Sequence, residues 1–389
     1  MKKKILYVLT GLILLLNLGI VISGRWYLYP ALYHNFADID DYKIFPNRPI
    51  EAGTPQPWPV SARAAHEHLT PEEQSYVESL DPVAFLVIHH DSILFEQYWD
   101  DYSPESMSSS FSMAKTFTSV LIGIAIGEGK IKSVDQPVAD FIPSFREAGK
   151  EGITLRNLLT MSSGLNWDES YANPLSVTTE AYYGSDLEKL VDQMQRIEEP
   201  GKRFEYLSGN TLVLAEVLKK ATGKTLSEYM SEKLWKPMGA ARAASWSLDH
   251  PDGMEKAYCC INSNIRDFAR LGKLFKNGGN WNGVQLVPAD YVSESIVPAR
   301  LTDEGQPLTR YGLSWWLLTY QGHSVFYARG ILGQYVFVVP DLDLVVARLG
   351  HHRSMDYTDG HPQDVFHYLD IGIRMSLQYR RLQGGIPGL

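Results

Sequence analysis

Ser112 and Lys115 stand three residues apart in Ser112-Met113-Ala114-Lys115, where the polar run Ser108-Ser109-Ser110 gives way to a long apolar one. Positions three apart share one face of a helix, so the lysine amine can reach back to the serine hydroxyl. A neutral amine there takes the hydroxyl proton and makes the serine a nucleophile, and an apolar helix supplies the desolvation that lowers a lysine pKa. The unpaired N–H groups of a first helical turn suit an oxyanion. A Ser-x-x-Lys string is expected about once by chance in a chain this long, so it gains weight only in company.

That company comes from Phe204-Glu205-Tyr206-Leu207-Ser208-Gly209-Asn210, which opens a second helical run, Thr211 to Ala221. Tyr206 and Ser208, two apart ahead of a helix, can present a phenol and a hydroxyl to one cleft. A phenolate beside Lys115 acts as general base and then as general acid to a leaving amine. On its own Tyr206 reads as a packed aromatic; the two motifs together make it a candidate.

The elements that must position these groups follow the order strands, helices, strands, helix. Val83–His89 and Ile93–Tyr98 read as a hairpin turning at His90-Asp91-Ser92. Phe117–Ile126 is apolar nearly all round and stops at Gly127 and Gly129, as a core helix does. From 135 to 260, loops alternate with helical periodicity and few strands are legible. Ser263–Asn277 reads as a helix, and strand-like runs return at Leu313–Tyr320, Ser324–Ala328, Tyr335–Val339 and Leu344–Leu349 before a closing amphipathic helix, Asp364–Gln378. The expectation is an α+β fold whose antiparallel sheet is made from both ends of the chain, residues 62–134 and 261–389, with an all-α insertion at 135–260.

Ahead of this body, Lys2, Lys3 and Lys4 precede an uncharged, mostly apolar run from Ile5 to Ser23. Residues 1–24 are thus a signal peptide or a membrane anchor, with the body on the outer, periplasmic or extracytoplasmic, face. The length of the run favours the anchor, since a cleavable core is about 7 to 15 residues; Val21 and Ser23 keep cleavage, and a secreted product, open. Trp26, Tyr27, Tyr29 and Tyr33 suit the headgroup level, and ordinary packing serves them equally. Residues 25–61 form a Pro-rich extended arm.

The motifs and their order resemble the class C β-lactamase and penicillin-binding-protein-like serine hydrolases, and within them the 6-aminohexanoate-oligomer hydrolases and related esterases. The resemblance runs from about residue 60 to 380, in five ordered segments: Ser109–Ile131, Ile153–Trp167, Phe204–Leu226, Cys259–Gly279 and Ala328–Gly350. It implies a β-lactamase/transpeptidase-like fold, Ser112 as nucleophile, Lys115 as its partner, Tyr206 as proton shuttle, and the backbone N–H groups of Ser112 and Ile331 as oxyanion hole. Tyr171, on a loop that in the oligomer hydrolases covers substrate, carries over as a binding candidate with Ser208, Arg329 and Gly330.

The departures narrow the substrate. Many relatives carry Tyr-x-Asn where this chain has Tyr206-Leu207-Ser208, and β-lactamases carry Lys-Thr-Gly where it has Ala328-Arg329-Gly330. Both losses point away from β-lactams. Arg329 either replaces the missing lysine or points to solvent from an edge strand; Gly330 keeps the strand clear for substrate. For Trp167, Asp168, Trp315, Trp316 and His323 packing is the default.

Other chemistries lack their signatures. There is no Gly-x-Ser-x-Gly elbow, no His-Glu-x-x-His and no phosphate loop, so neither a metal nor a cofactor is expected. A net charge of -9 from scattered residues excludes nucleic acid as a natural partner. Cys259 and Cys260 are adjacent, a poor arrangement for an ordinary disulfide, and are expected to pack as small buried hydrophobes. The sequence therefore reads as an exported serine hydrolase for a small-molecule amide or ester substrate. The rival readings are a D-amino-acid peptidase, transpeptidase or β-lactamase-type enzyme, and a membrane sensor that is acylated by β-lactams without turnover.

Overall fold

Both ends of the chain meet in one sheet. In the computed structural model, which describes residues 2–383, ten strands form the two main sheets: β1 (Asn47–Ile50), β2 (Pro82–His89), β3 (Ser92–Tyr98), β4 (Ser108–Ser109), β5 (Ala244–Ser247), β6 (Ile261–Ser263), β7 (Trp316–Tyr320), β8 (His323–Gly330), β9 (Gln334–Val339) and β10 (Leu344–Gly350). Met1 and the last six residues, the end of the expected catalytic segment, lie outside the described residues. The larger sheet runs β7-β8-β9-β10-β2-β3, antiparallel throughout. His90 and Asp91, both at positive φ, make the tight β2–β3 turn, whose twist matches that of the strands it joins.

The helices are α1 (Lys2–Ser23), α2 (Leu28–His34), α3 (Pro71–Glu78), α4 (Met113–Gly127), α5 (Leu155–Leu159), α6 (Val177–Tyr183), α7 (Leu187–Gln193), α8 (Ser208–Thr222), α9 (Leu226–Met230), α10 (Ile265–Lys276), α11 (Ala289–Ser295) and α12 (Asp364–Gln383). The central strands read as continuous apolar runs because both faces of the sheet are covered. Leu86, Ile88, Val336, Val338, Val345 and Ala347 face a core shared with α4 and α10. Their neighbours Phe85, Val87, Tyr335, Phe337 and Val346 face a second core closed by α12. The first core continues without a break into the helical segment, through Leu158, Leu212 and Val213.

The structure departs from the sequence reading in three places. The strand expected from Leu313 begins only at Trp316, because Ser314 is left-handed (φ 62°) and its N–H and C=O bond to Leu159 and Thr116. A smaller sheet, β1-β5-β6-β4, takes strands from the arm and from the helical stretch. Thus β1 pairs with β5, and the arm, expected to be extended, lies against the body and begins with the helix Leu28–His34. Helix α1 is one continuous apolar helix of 22 residues, nearly all exposed, with the length and composition to cross a membrane; a signal sequence has the same properties.

Candidate active site

The serine is delivered by a pinned turn. β4 pairs with β6 (Ser108 opposite Ser263, Ser109 opposite Asn262), and the next residue, Ser110, donates its N–H to the Ile261 carbonyl (2.7 Å) while its Oγ accepts the Ile261 N–H (3.1 Å). Phe111 then takes a left-handed backbone (φ 42°), a conformation costly for a bulky residue and sustained by the bonds on either side. Ser112 follows as the N-cap of α4, half-buried, with its own N–H at the open end of the helix.

Lys115, only 1% exposed, points back as the spacing predicts: its Nζ lies 2.9 Å from Ser112 Oγ and donates to the Tyr258 carbonyl at 3.0 Å. Both partners are neutral. The Tyr206 ring faces the same Nζ, its centroid 4.9 Å away, and is held by Trp316 (5.6 Å) and Tyr311 (6.1 Å). Lys115 thus lies against both Ser112 and Tyr206, which are 94 residues apart in the sequence.

Gly330 has a firmer reason to be glycine than clearance for substrate. A Cβ there would lie 2.4 Å from the Ser110 carbonyl oxygen and 3.1 Å from Phe111 Cβ, so its absence lets β8 close on the turn that precedes Ser112. Ile331 starts the turn that follows. Arg329 does not leave the sheet at an edge: β8 is flanked by β7 and β9. Its guanidinium lies 3.2 Å from the ring centroid of Trp316, the indole that supports Tyr206, and donates to the Gly360 carbonyl (3.1 Å).

Ser208 and Tyr171 meet on a residue the sequence reading passed over. Glu169 accepts the Ser208 N–H (Oε2, 2.6 Å), the Ser208 hydroxyl (Oε1, 2.6 Å) and the Tyr171 hydroxyl (Oε1, 2.6 Å). The Tyr171 ring is 53% exposed, while desolvation of its hydroxyl end and the Glu169 charge push its pKa well up. Burial, and then Glu169, do the same to Tyr258. Ser208, only 1% exposed, spends its only hydroxyl proton on Glu169, so it has no proton left to serve as the amide donor that relatives carry there. Trp167 and Asp168 build the loop, as expected: Trp167 Nε1 donates to Thr178 Oγ1 (2.9 Å) and Asp168 accepts the Ser170 N–H (2.9 Å). Trp315 is core, and His323 lies at the remote β7–β8 turn on Asp341.

The cysteines correct an expectation. Cys259 and Cys260 are buried but bonded to each other, the left-handed backbone of Cys260 (φ 71°) turning the chain between them. The pair is held by Trp246 Nε1 on the Cys259 carbonyl (2.9 Å) and the Ser247 N–H on that of Cys260 (3.0 Å). It follows directly on Tyr258, whose carbonyl fixes Lys115, and precedes Ile261, which fixes Ser110.

A family model for beta-lactamases matches residues 73–363. The chain is 27% identical over 310 residues to the 6-aminohexanoate-dimer hydrolase of Paenarthrobacter ureafaciens, covering 75% of this chain and 78% of that one. A D-aminopeptidase of Brucella anthropi is 31% identical over 137 residues, 34% of this chain and 25% of its own. Among solved structures, a Bacillus anthracis protein with a provisional 6-aminohexanoate-dimer hydrolase name superposes with a TM-score of 0.73 at 19% identity, covering 90% and 94% of the two chains. A family VIII carboxylesterase gives 0.60 at 17%, covering 79% and 99%. These two likenesses speak to the fold. The family match spans about three-quarters of the chain and takes in Ser112, Lys115 and Tyr206; the chain belongs to the beta-lactamase family and is a serine hydrolase on the β-lactamase/transpeptidase-like fold.

Proposed function

We propose that this serine hydrolase works outside the cytoplasm and cleaves short linear amides or esters through an acyl-enzyme on Ser112. The observation that carries the reading is the 2.9 Å contact between Lys115 Nζ and Ser112 Oγ in the first turn of α4, with Lys115 buried among neutral partners. In its neutral form Lys115 takes the Ser112 proton along that contact as Oγ attacks the substrate carbonyl. The N–H groups of Ser112 and Ile331 hold the oxyanion, and Gly330 sets the distance between them. Tyr206 passes the proton to the departing amine or alcohol; water then repeats the attack and frees Ser112.

Similarity to the 6-aminohexanoate-dimer hydrolase supports linear amides as the substrate class. The Ser208 hydroxyl, committed to Glu169, departs from acylamide recognition of the β-lactam kind. The shorter likeness to a D-aminopeptidase favours, as a second reading, D-amino-acid amides or peptides. Helix α1 supports export, either as a retained anchor or as a cleaved signal.

The test is a panel of p-nitrophenyl esters, aminohexanoate dimer, D-alanyl peptides and a chromogenic cephalosporin, run with and without an added amine acceptor. Turnover of the dimer or esters above the cephalosporin is expected. Preferential turnover of D-alanyl peptides moves the assignment to the second reading, amine-dependent product makes the chain a transferase, and acylation without release on every substrate makes it a sensor.

A further inference from the structure

Four aromatic side chains follow α1 closely, and the structure splits them. Tyr27 is buried (6% exposed) in a small cluster with Ile20, Leu28 and Tyr183, while Trp26 (59%), Tyr29 (38%) and Tyr33 (84%) stand outward with Leu32 (52%) and Phe36 (77%). Helix α2, which carries Tyr29, Leu32 and Tyr33 of these, is fastened on two sides. Its inner face packs on α6, where His34 stacks on Tyr183 with centroids 6.1 Å apart. It is also tied to α1, because Tyr29 donates its hydroxyl to Asn17 Oδ1 at 2.9 Å while the Asn17 amide donates to the Ile13 carbonyl.

The Asn17 bond fixes a depth. Asn17 is six residues before Ser23, roughly 9 Å down the helix axis. Twenty-two residues cover roughly 33 Å, close to the hydrocarbon thickness of about 30 Å, so when α1 spans a bilayer the Tyr29 hydroxyl lies below its outer end. That is the zone in which amphipathic helices bury an apolar face, about 5 to 10 Å into the headgroup and acyl boundary. The outward residues of α2 and its flanks are of the kind found there, aromatic with polar tips and aliphatic.

We propose that α2 is a second membrane contact, an interfacial helix that seats the catalytic body on the lipid surface beside α1. The occupant of its outward face is the bilayer itself, since the Tyr29–Asn17 bond holds α2 against the helix that would span it. Helix α6 leads from Ser176, where the loop bearing Glu169 and Tyr171 ends, to Tyr183 under α2, a run of seven residues or roughly 10 Å. Seating α2 in lipid therefore holds the loop that bears Glu169 and Tyr171 within the length of α6 of the helix seated in the membrane. The inference rests on α1 being retained in the membrane and is independent of the hydrolytic reading.

The test uses the full chain in phosphatidylcholine nanodiscs, plain or brominated near the headgroup end of the acyl chains. A reporter tryptophan is placed by Tyr33→Trp, and separately by Phe36→Trp, in a Trp26→Phe background, with Met355→Trp as solvent control, since Met355 is 80% exposed on the catalytic body. Brominated lipid is expected to quench the emission added at 33 and 36 by about twofold or more and to leave that at 355 unchanged. Equal quenching at 33, 36 and 355 overturns the proposal, as does failure of the chain to enter the discs. Two chains per disc with the reporters shielded from aqueous acrylamide but not quenched by bromine overturn it in favour of a second copy as the occupant. No arm reads hydrolysis, so failure here leaves the assignment of Ser112 untouched.

Discussion

Gly330→Ala places a methyl group 2.4 Å from the Ser110 carbonyl oxygen, 3.0 Å from Gln334 Cβ and 3.1 Å from Phe111 Cβ. Carbon packs best at about 3.5 Å or more, so β8 and the nucleophile turn must part by about 1 Å. Neither side yields easily. Ser110 is bonded twice to Ile261, and Gln334 is bonded through its side chain to both the C=O (2.7 Å) and the N–H (3.1 Å) of Gly350. The displacement falls between the two proposed oxyanion donors, Ser112 N–H and Ile331 N–H. A misplacement of about 1 Å costs about 100-fold in rate, close to the 100- to 1000-fold for loss of one oxyanion donor. Overpacking alone destabilises by about 1 to 3 kcal/mol. Steady-state hydrolysis of p-nitrophenyl acetate should show kcat down by about 100-fold with KM changed less than about threefold, because the oxyanion forms only in the transition state. A folded Gly330→Ala protein, verified by circular dichroism and thermal melting, that keeps kcat within about threefold of wild type would refute this account of β8.

Three further outcomes follow from the site. Tyr206→Phe keeps the ring packed between Trp316 and Tyr311 but removes the hydroxyl, and kcat should fall about 100- to 10,000-fold with KM nearly constant; a fall in KM alone speaks against a proton shuttle. Glu169→Gln presents an amide to three donors that had a carboxylate, a loss of about 1.5 to 3 kcal/mol, expected as a KM increase of about 10- to 100-fold with kcat much less affected; unchanged KM on aminohexanoate dimer counts against Glu169 as organiser of Tyr171 and Ser208. His361, buried against Tyr327 and facing Arg329 and Arg310, has its pKa lowered from 6.5 to about 3, mainly by burial. The unfolded chain therefore takes up this proton near pH 6.5 and the folded chain only near 3, so stability falls as the pH drops through that window. Between pH 7 and 4.5, urea unfolding should show wild type losing about 2 to 3 kcal/mol more than His361→Gln, and equal losses would rule the effect out.

How much of this was legible depended on how local the cause was. Ser112 and Lys115 lie within one helical turn, so spacing alone places the amine on the hydroxyl. Unbroken apolar runs such as Phe85–Ile88 and Tyr335–Val339 announced strands. The strands missed, β1, β4, β5 and β6, are two to four residues long and owe their form to partners up to 200 positions away, as Asn47 opposite Ser247 shows. The Tyr258 carbonyl that anchors Lys115 is a backbone group, and no residue type marks it. Gly330 was read as making room for substrate, whereas the nearer obstacle is the chain's own Ser110, visible only once β8 and the nucleophile turn are side by side. Glu169 stood between Trp167 and Tyr171 in a loop already singled out, but its role depends on Ser208, 39 residues on.

The central claim is that Ser112 carries the acyl group. Rapid-quench mixing with an excess of p-nitrophenyl ester, followed by intact-mass measurement and peptide mapping, reads it directly. One acyl group per chain on the peptide containing Ser112, formed with the p-nitrophenol burst and absent from Ser112→Ala, is the result the account predicts. An acyl group on any other residue, or turnover that survives Ser112→Ala, would contradict it.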